Sequence, residues 1–108
     1  MDQTLLTAIR RATDGLVDAD LGGGLIKQRV ARPGQGKSGG YRTVIAFRRG
    51  QRAVFLFGFS KNELENIDDE ELHVFRTRAQ ALLEMNGIQI SKLIAAGDLT
   101  EIENEEAE

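Results

Sequence analysis

"YRTVIAFRRGQRAVFLFGF", residues 41–59, consists of two apolar, aromatic and β-branched runs around a Gly-Gln pair. Runs of this kind read as strands, and Gly50-Gln51 between them reads as a hairpin turn. Side chains alternate along a strand, so Arg42, Val44, Ala46 and Arg48 share one face of the first run. Tyr41, Thr43, Ile45 and Phe47 share the other. Both faces carry apolar residues and need helices to cover them, and segments of helical period lie on either side in sequence.

Immediately upstream, "ARPGQGKSGGYRT" (residues 31–43) contains Gly36-Lys37-Ser38, the ending of a nucleotide-binding loop. That loop needs a glycine where Ala31 stands and a helix after the lysine, so that helix amides cradle the phosphates. A strand follows instead, and the nucleotide-loop reading fails. Residues 25–31 have the period of two of another strand, with Lys27 and Arg29 on one face. Arg32 to Gly40 then reads as a glycine-rich connection carrying Lys37 at its tip. Its glycines allow close backbone approach and amide contacts to phosphate.

Toward the N-terminus, Leu5, Ala8, Ile9, Ala12 and Leu16 recur at helical spacing, with Gly15 as a stop signal. Toward the C-terminus, Asp68 precedes Glu71 by three residues in the form of a capping box, and Ile67 with Leu72 forms a hydrophobic staple. Leu72, Phe75, Ala79, Leu82, Leu83 and Asn86 continue the helical period, and Gly87 is expected to terminate it. The Asp68–Glu71 carboxylates belong to this helix start, where the macrodipole favours them, rather than to a magnesium site. A short helix over 88–96 ended by Gly97, and an acidic tail over 101–108, complete the chain. The pattern predicts an α+β fold: a small antiparallel β-sheet of about three strands packed with N-terminal and C-terminal helices, in a single domain spanning 1–108.

Composition narrows the chemistry. There is no cysteine among the 108 residues, which removes disulfides, thiolate metal sites and a cysteine nucleophile, and the one histidine, His73, leaves a His-rich site or a Ser-His relay little to work with. No apolar stretch reads as a membrane span or a secretory signal, and a cytoplasmic location is expected. The net charge of −3 conceals a separation. Residues 21–62 hold nine Lys and Arg and no carboxylate, whereas residues 63–108 hold thirteen Asp and Glu against three basic groups. A carboxylate-free basic block reads as an electrostatic footprint for a polyanion. Arginine offers phosphate a rigid fork and lysine a mobile point charge, so Lys27, Arg29 and Arg42, with Arg32 and Lys37 nearby, read as a surface for an RNA backbone.

Residues 15–67 also resemble the RelE/HigB-like toxins of bacterial toxin–antitoxin pairs. Ser38-Gly39-Gly40-Tyr41-Arg42 entering a strand and Phe59-Ser60-Lys61-Asn62-Glu63 closing one carry the resemblance. It implies a toxin that enters the 70S ribosome and cleaves messenger RNA in the A site, without metal or other cofactor, restrained by a cognate antitoxin of the helix-turn-helix type. The resemblance matches Lys27, Arg29, Arg42 and Lys61 to basic positions of the family; together with the charge pattern this makes Arg42, Lys61, Lys37 and Lys27 the candidate catalytic residues, and Arg29, Arg32, Arg48 and Tyr41 the candidate RNA-binding residues. The attacking group is the RNA's own 2′-hydroxyl, so the protein aligns it and stabilises charge. Crowding among cations favours a neutral amine, which makes Lys27 and Lys37 candidates for proton transfer, with Glu63 as an outsider. Members of the family carry a strand ahead of the position matching Asp2; without it an unpaired sheet edge is expected, and with it homodimerisation through that edge. The alternatives are a noncatalytic relative that binds RNA or antitoxin, and a gyrase-inhibiting toxin of the same superfamily.

Overall fold

A computed structural model describes residues 2–32, 36–60 and 68–102, the side chains of residues 2, 31, 32, 36–39 and 60 excepted. Its elements run α1 (Asp2–Thr13), β1 (Ala19–Gly22), β2 (Leu25–Arg32), β3 (Gly36–Arg48), β4 (Arg52–Ser60), α2 (Asp69–Glu84) and α3 (Gly87–Ala95). The four strands form one antiparallel sheet in the order β1-β2-β3-β4.

Strand alternation sorts the core into two layers, as the sequence pattern requires. Leu25, Val44 and Ala46 leave the sheet on one side and pack against Ala79 and Leu83 of α2. Ile26 and Ile45 leave it on the other and pack against Ala12 of α1. Leu25, Val44 and Ile45 are fully buried, each worth about 1.5–3 kcal/mol relative to exposure. Helices therefore cover both faces, one from each end of the chain.

The sheet has one more strand than expected. β1, Ala-Asp-Leu-Gly, is too short and too polar to show a period, and forms because Gly23 and Gly24 make a tight turn at φ 64° and 83°. A Cβ at Gly24 would stand 2.6 Å from Leu83 Cδ1, so the turn is also where α2 closes onto the sheet. β1 pairs only with Leu25–Lys27. At the next position along this edge of β2, Asp18 accepts the Arg29 backbone N–H at 2.7 Å and the Arg11 guanidinium donates to the Arg29 carbonyl at 3.4 Å. Side chains thus take over where edge pairing stops.

Three further expectations need correction. Residues 36–40 are part of β3 rather than of a long connection, and the β2–β3 ladder is irregular between Val30–Tyr41 and Arg32–Gly36. The two stretches pair in spite of their glycines because a regular ladder from Leu25 to Val30 carries them together. Leu16 lies beyond the end of α1 and is 60% exposed; Gly15, at φ 88°, turns the chain before the helical period reaches it. Gly87 does not terminate α2. That helix ends at Glu84 with Met85 extended, and Asn86 instead caps α3 in a reciprocal box with Gln89. At the start of α2, Asp68 is the N-cap and accepts the Glu71 N–H at 2.8 Å, as its spacing predicts; Ile67 lies outside the described residues. The Glu71 amide hydrogen bond holds the Asp68 carboxyl below its usual range, while the side-chain contact with ionised Asp68 raises that of Glu71.

Candidate nucleic-acid interface

The pairing register arranges the α2-side face of the sheet in rows across three strands. Lys27 of β2 stands opposite Val44 of β3, which stands opposite Phe57 of β4; in the next row Arg29, Arg42 and Phe59 stand opposite one another. Lys27, Arg29 and Arg42 therefore share a face, as alternation along the strands predicts. None of the three belongs to the apolar cluster that α2 covers. This end of the face is basic and aromatic, whereas the other end is aliphatic.

Arg42 occupies the centre of its row and is half-buried. Its Nη1 is buried and has no hydrogen-bond partner among the described residues. A charged donor removed from water without a partner is costly, and a catalytic or ligand-binding role is one of the reasons a native protein keeps one. Arg29 is held differently. Its guanidinium lies 3.7 Å from the Asp18 carboxylate, which also pairs with Arg11 at 3.1 Å. Arg29 lines a cavity of about 470 Å³ with Gln3, Thr7 and Arg11 of the α1 side, so its charge sits at the β2 edge rather than over the middle of the sheet.

Asp18 organises this edge. Partial burial works against its ionisation, but the Arg29 backbone N–H and the Arg11 and Arg29 guanidinium groups outweigh that, and the carboxyl titrates below its ordinary value of 3.8. A carboxylate with a depressed folded-state pKa contributes stability above the unfolded-state value, and that stability is lost as pH falls through the folded-state value. Thermal melts of the wild type should therefore lose stability below about pH 3.8. Asp18→Asn should melt lower at neutral pH, by an amount corresponding to about 1–3 kcal/mol, and should show a smaller loss on acidification. An unchanged acid limb in Asp18→Asn would show that other carboxylates govern it.

The remaining predicted residues fall elsewhere. Arg48 is six positions along β3 from Arg42, about 20 Å at the usual strand rise. Its guanidinium donates to the Leu83 carbonyl at 2.9 Å, and that of Arg52, opposite it on β4, donates to Leu82 and Met85 at 2.7 and 2.6 Å. The last turn of α2 has no basic residue of its own; these two hairpin arginines satisfy its terminal carbonyls. Tyr41 stands opposite Val30, in the set of β3 residues that faces α1, so its ring and the Arg42 side chain leave the sheet on opposite sides. The backbones of Arg32 and Lys37 lie at the end of β2 and the start of β3, with their side chains outside the described set; Lys61 and Glu63 lie outside the described residues. His73 is exposed on α2.

Sequence reasoning missed two participants. Gln28, fully buried, accepts the Asp18 N–H at 2.7 Å and donates to the Ala8 and Leu16 carbonyls at 3.0 and 3.2 Å. A lone polar residue between Ile26 and Val30 on an apolar face was the available signal. Phe57 reads in the sequence only as part of an apolar strand, and it is 44% exposed.

Among the described residues no group of His, Cys, Asp or Glu gathers in a way that could hold a metal ion, and no helix is long and apolar enough to cross a membrane. A family model described as "RelE toxin of RelE / RelB toxin-antitoxin system" matches residues 1–102. No curated protein matches the chain.

Proposed function

The chain belongs to the RelE toxin family and so has a cognate antitoxin as its partner; from its basic sheet face we propose that it is an endoribonuclease that cuts messenger RNA in the ribosomal A site. The observation that carries the proposal is Arg42: a guanidinium with a buried nitrogen that has no partner among the described residues, in a row with Arg29 and Phe59 and diagonal to Lys27, at the basic end of the α2-side face.

In the proposed reaction the 2′-hydroxyl gives up its proton to a base as its oxygen attacks the adjacent phosphorus, the bond to the 5′-oxygen breaks as that oxygen takes up a proton, and the products are a 2′,3′-cyclic phosphate and a 5′-hydroxyl. Negative charge accumulates on the nonbridging oxygens as the new bond forms. Arg42 donates to one of these oxygens, and its pre-positioned fork requires no reorganisation at that moment. Lys27, diagonal to Arg42 across the β2–β3 pair, lies within reach of the same phosphodiester. Arg29, fixed by Asp18, contacts a neighbouring phosphate and sets the strand's register. Lys37 is assigned to proton transfer and Arg32 to backbone binding from the charge pattern, and Lys61 to assisting the reaction by family resemblance.

Primer extension on a defined messenger, naked and ribosome-loaded, tests the proposal. Cuts are expected within the A-site codon on ribosomes and not on naked RNA. Ribosome association without cuts would make the chain a noncatalytic binder instead.

A further inference from the structure

We propose that Phe57 is a stacking platform for the base next to the scissile phosphate, an inference that rests on the RNA-cleaving reading above. Phe57 is the exposed aromatic ring on the same face as Lys27 and Arg42, one row along from Arg42. Its position is built. The β3–β4 register shifts between Val44 and Ile45, which stand opposite Phe57 and Phe55, leaving Leu56 as the extra residue on β4. Such a bulge re-aims side chains. Here it lets consecutive residues serve one side of the sheet: Leu56 packs into the α2 cluster, while Phe57 stays at the surface.

The ring is also held. Phe59 stacks against it with centroids 5.9 Å apart at 29°, and Phe75 of α2 lies against it at 5.8 Å and 36°. A ring restrained by two neighbours loses little freedom when a base lands on its exposed part, which is the favourable case for stacking. Leaving this much of a phenylalanine in water on a strand has a cost in folding. The neighbouring cations indicate what repays it. Lys27 and Arg42 attract a polyanion, and a single strand of nucleic acid is the polyanion that also presents flat, stackable faces. A duplex hides those faces, and an acidic peptide lacks them. Phosphate on Arg42 and base on Phe57 would together fix the nucleotide at two points, which restricts rotation about the sugar that carries the attacking hydroxyl.

The test is a cycle between ring and base. Affinity for a fluorescein-labelled single-stranded RNA and for an abasic strand of the same length is measured by anisotropy for wild type, Phe57→Ala, Phe57→Trp and Arg42→Ala, with thermal melts alongside. Phe57→Ala is expected to weaken binding of intact RNA about tenfold and binding of the abasic strand by less than about twofold. Phe57→Trp should match or exceed wild type on intact RNA, and it keeps the test meaningful if the alanine variant folds poorly. Equal losses on both strands, no loss on either, or a loss confined to binding of the cognate antitoxin would each overturn the stacking role. Weakening by Arg42→Ala without any effect at Phe57 removes this inference alone; absence of RNA binding and cleavage by the wild type removes the proposed function with it.

Discussion

Replacing Arg42 by alanine should lower the single-turnover rate of messenger cleavage on ribosomes by roughly 10²–10³-fold, the usual cost of deleting one pre-positioned donor to a developing oxyanion. The fold should not suffer with it. In the unliganded protein the Arg42 Nη1 is buried without a partner among the described residues, so the alanine variant sheds an uncompensated polar group along with some apolar stem packing. The two effects oppose each other, and the melting temperature should stay within a few degrees of wild type or rise. Arg42→Lys should recover part of the rate, because it restores charge but not the planar fork. Rates and melts measured on the same preparations check this. A rate loss accompanied by a proportionate loss of stability would demote Arg42 to a structural residue.

The second large effect concerns a residue far from any substrate. Gln28→Ala should destabilise the protein by about 3–5 kcal/mol, the sum of a cavity in a filled site and the loss of hydrogen bonds inside it. Gln28 connects three parts of the chain, through the Ala8 carbonyl in α1, the Leu16 carbonyl after it and the Asp18 amide before β1. Its own backbone carbonyl also accepts the Thr43 hydroxyl at 2.9 Å. Small domains have only about 5–15 kcal/mol in total, so one substitution removes a large share. Gln28→Leu, which refills the volume, should recover the cavity component but not the polar one, and urea denaturation of the three proteins separates them. Equal stability of Gln28→Leu and wild type would mean that the buried amide serves specificity rather than strength.

Much of this arrangement was legible in the chain before any coordinates. Period two in Leu25–Ala31 and Tyr41–Arg49 correctly placed Lys27, Arg29 and Arg42 together, because a buried face ties register to the hydrophobic pattern. The Asp68 cap was legible for a similar reason, since its partner is three residues away. What escaped was settled by contacts distant in sequence. Arg48 and Arg52 read as part of a basic footprint, but α2 carbonyls thirty or more positions away take up their guanidinium groups. Tyr41 and Arg42 are adjacent in sequence and opposed in space. Phe57 needed knowledge of a one-residue bulge. The Asn86-Gln89 box was written locally and was misread because Gly87 offered a competing stop signal.

The arginines at the two ends of the α2-side sheet face are suited to different kinds of partner, and salt distinguishes them. Those at the hairpin end grip peptide carbonyls, dipoles whose attraction is short-ranged and little screened by mobile ions. In the proposed function Arg42 and its basic neighbours take up RNA phosphates, whose capture releases counterions and should weaken steeply as ionic strength rises. The docking of α2 on Arg48 and Arg52 should consequently persist at ionic strengths that strip the RNA proposed to bind at the opposite end of the same sheet face. Fold and grip, though built from one residue type on one surface, can be turned off independently by the solution alone.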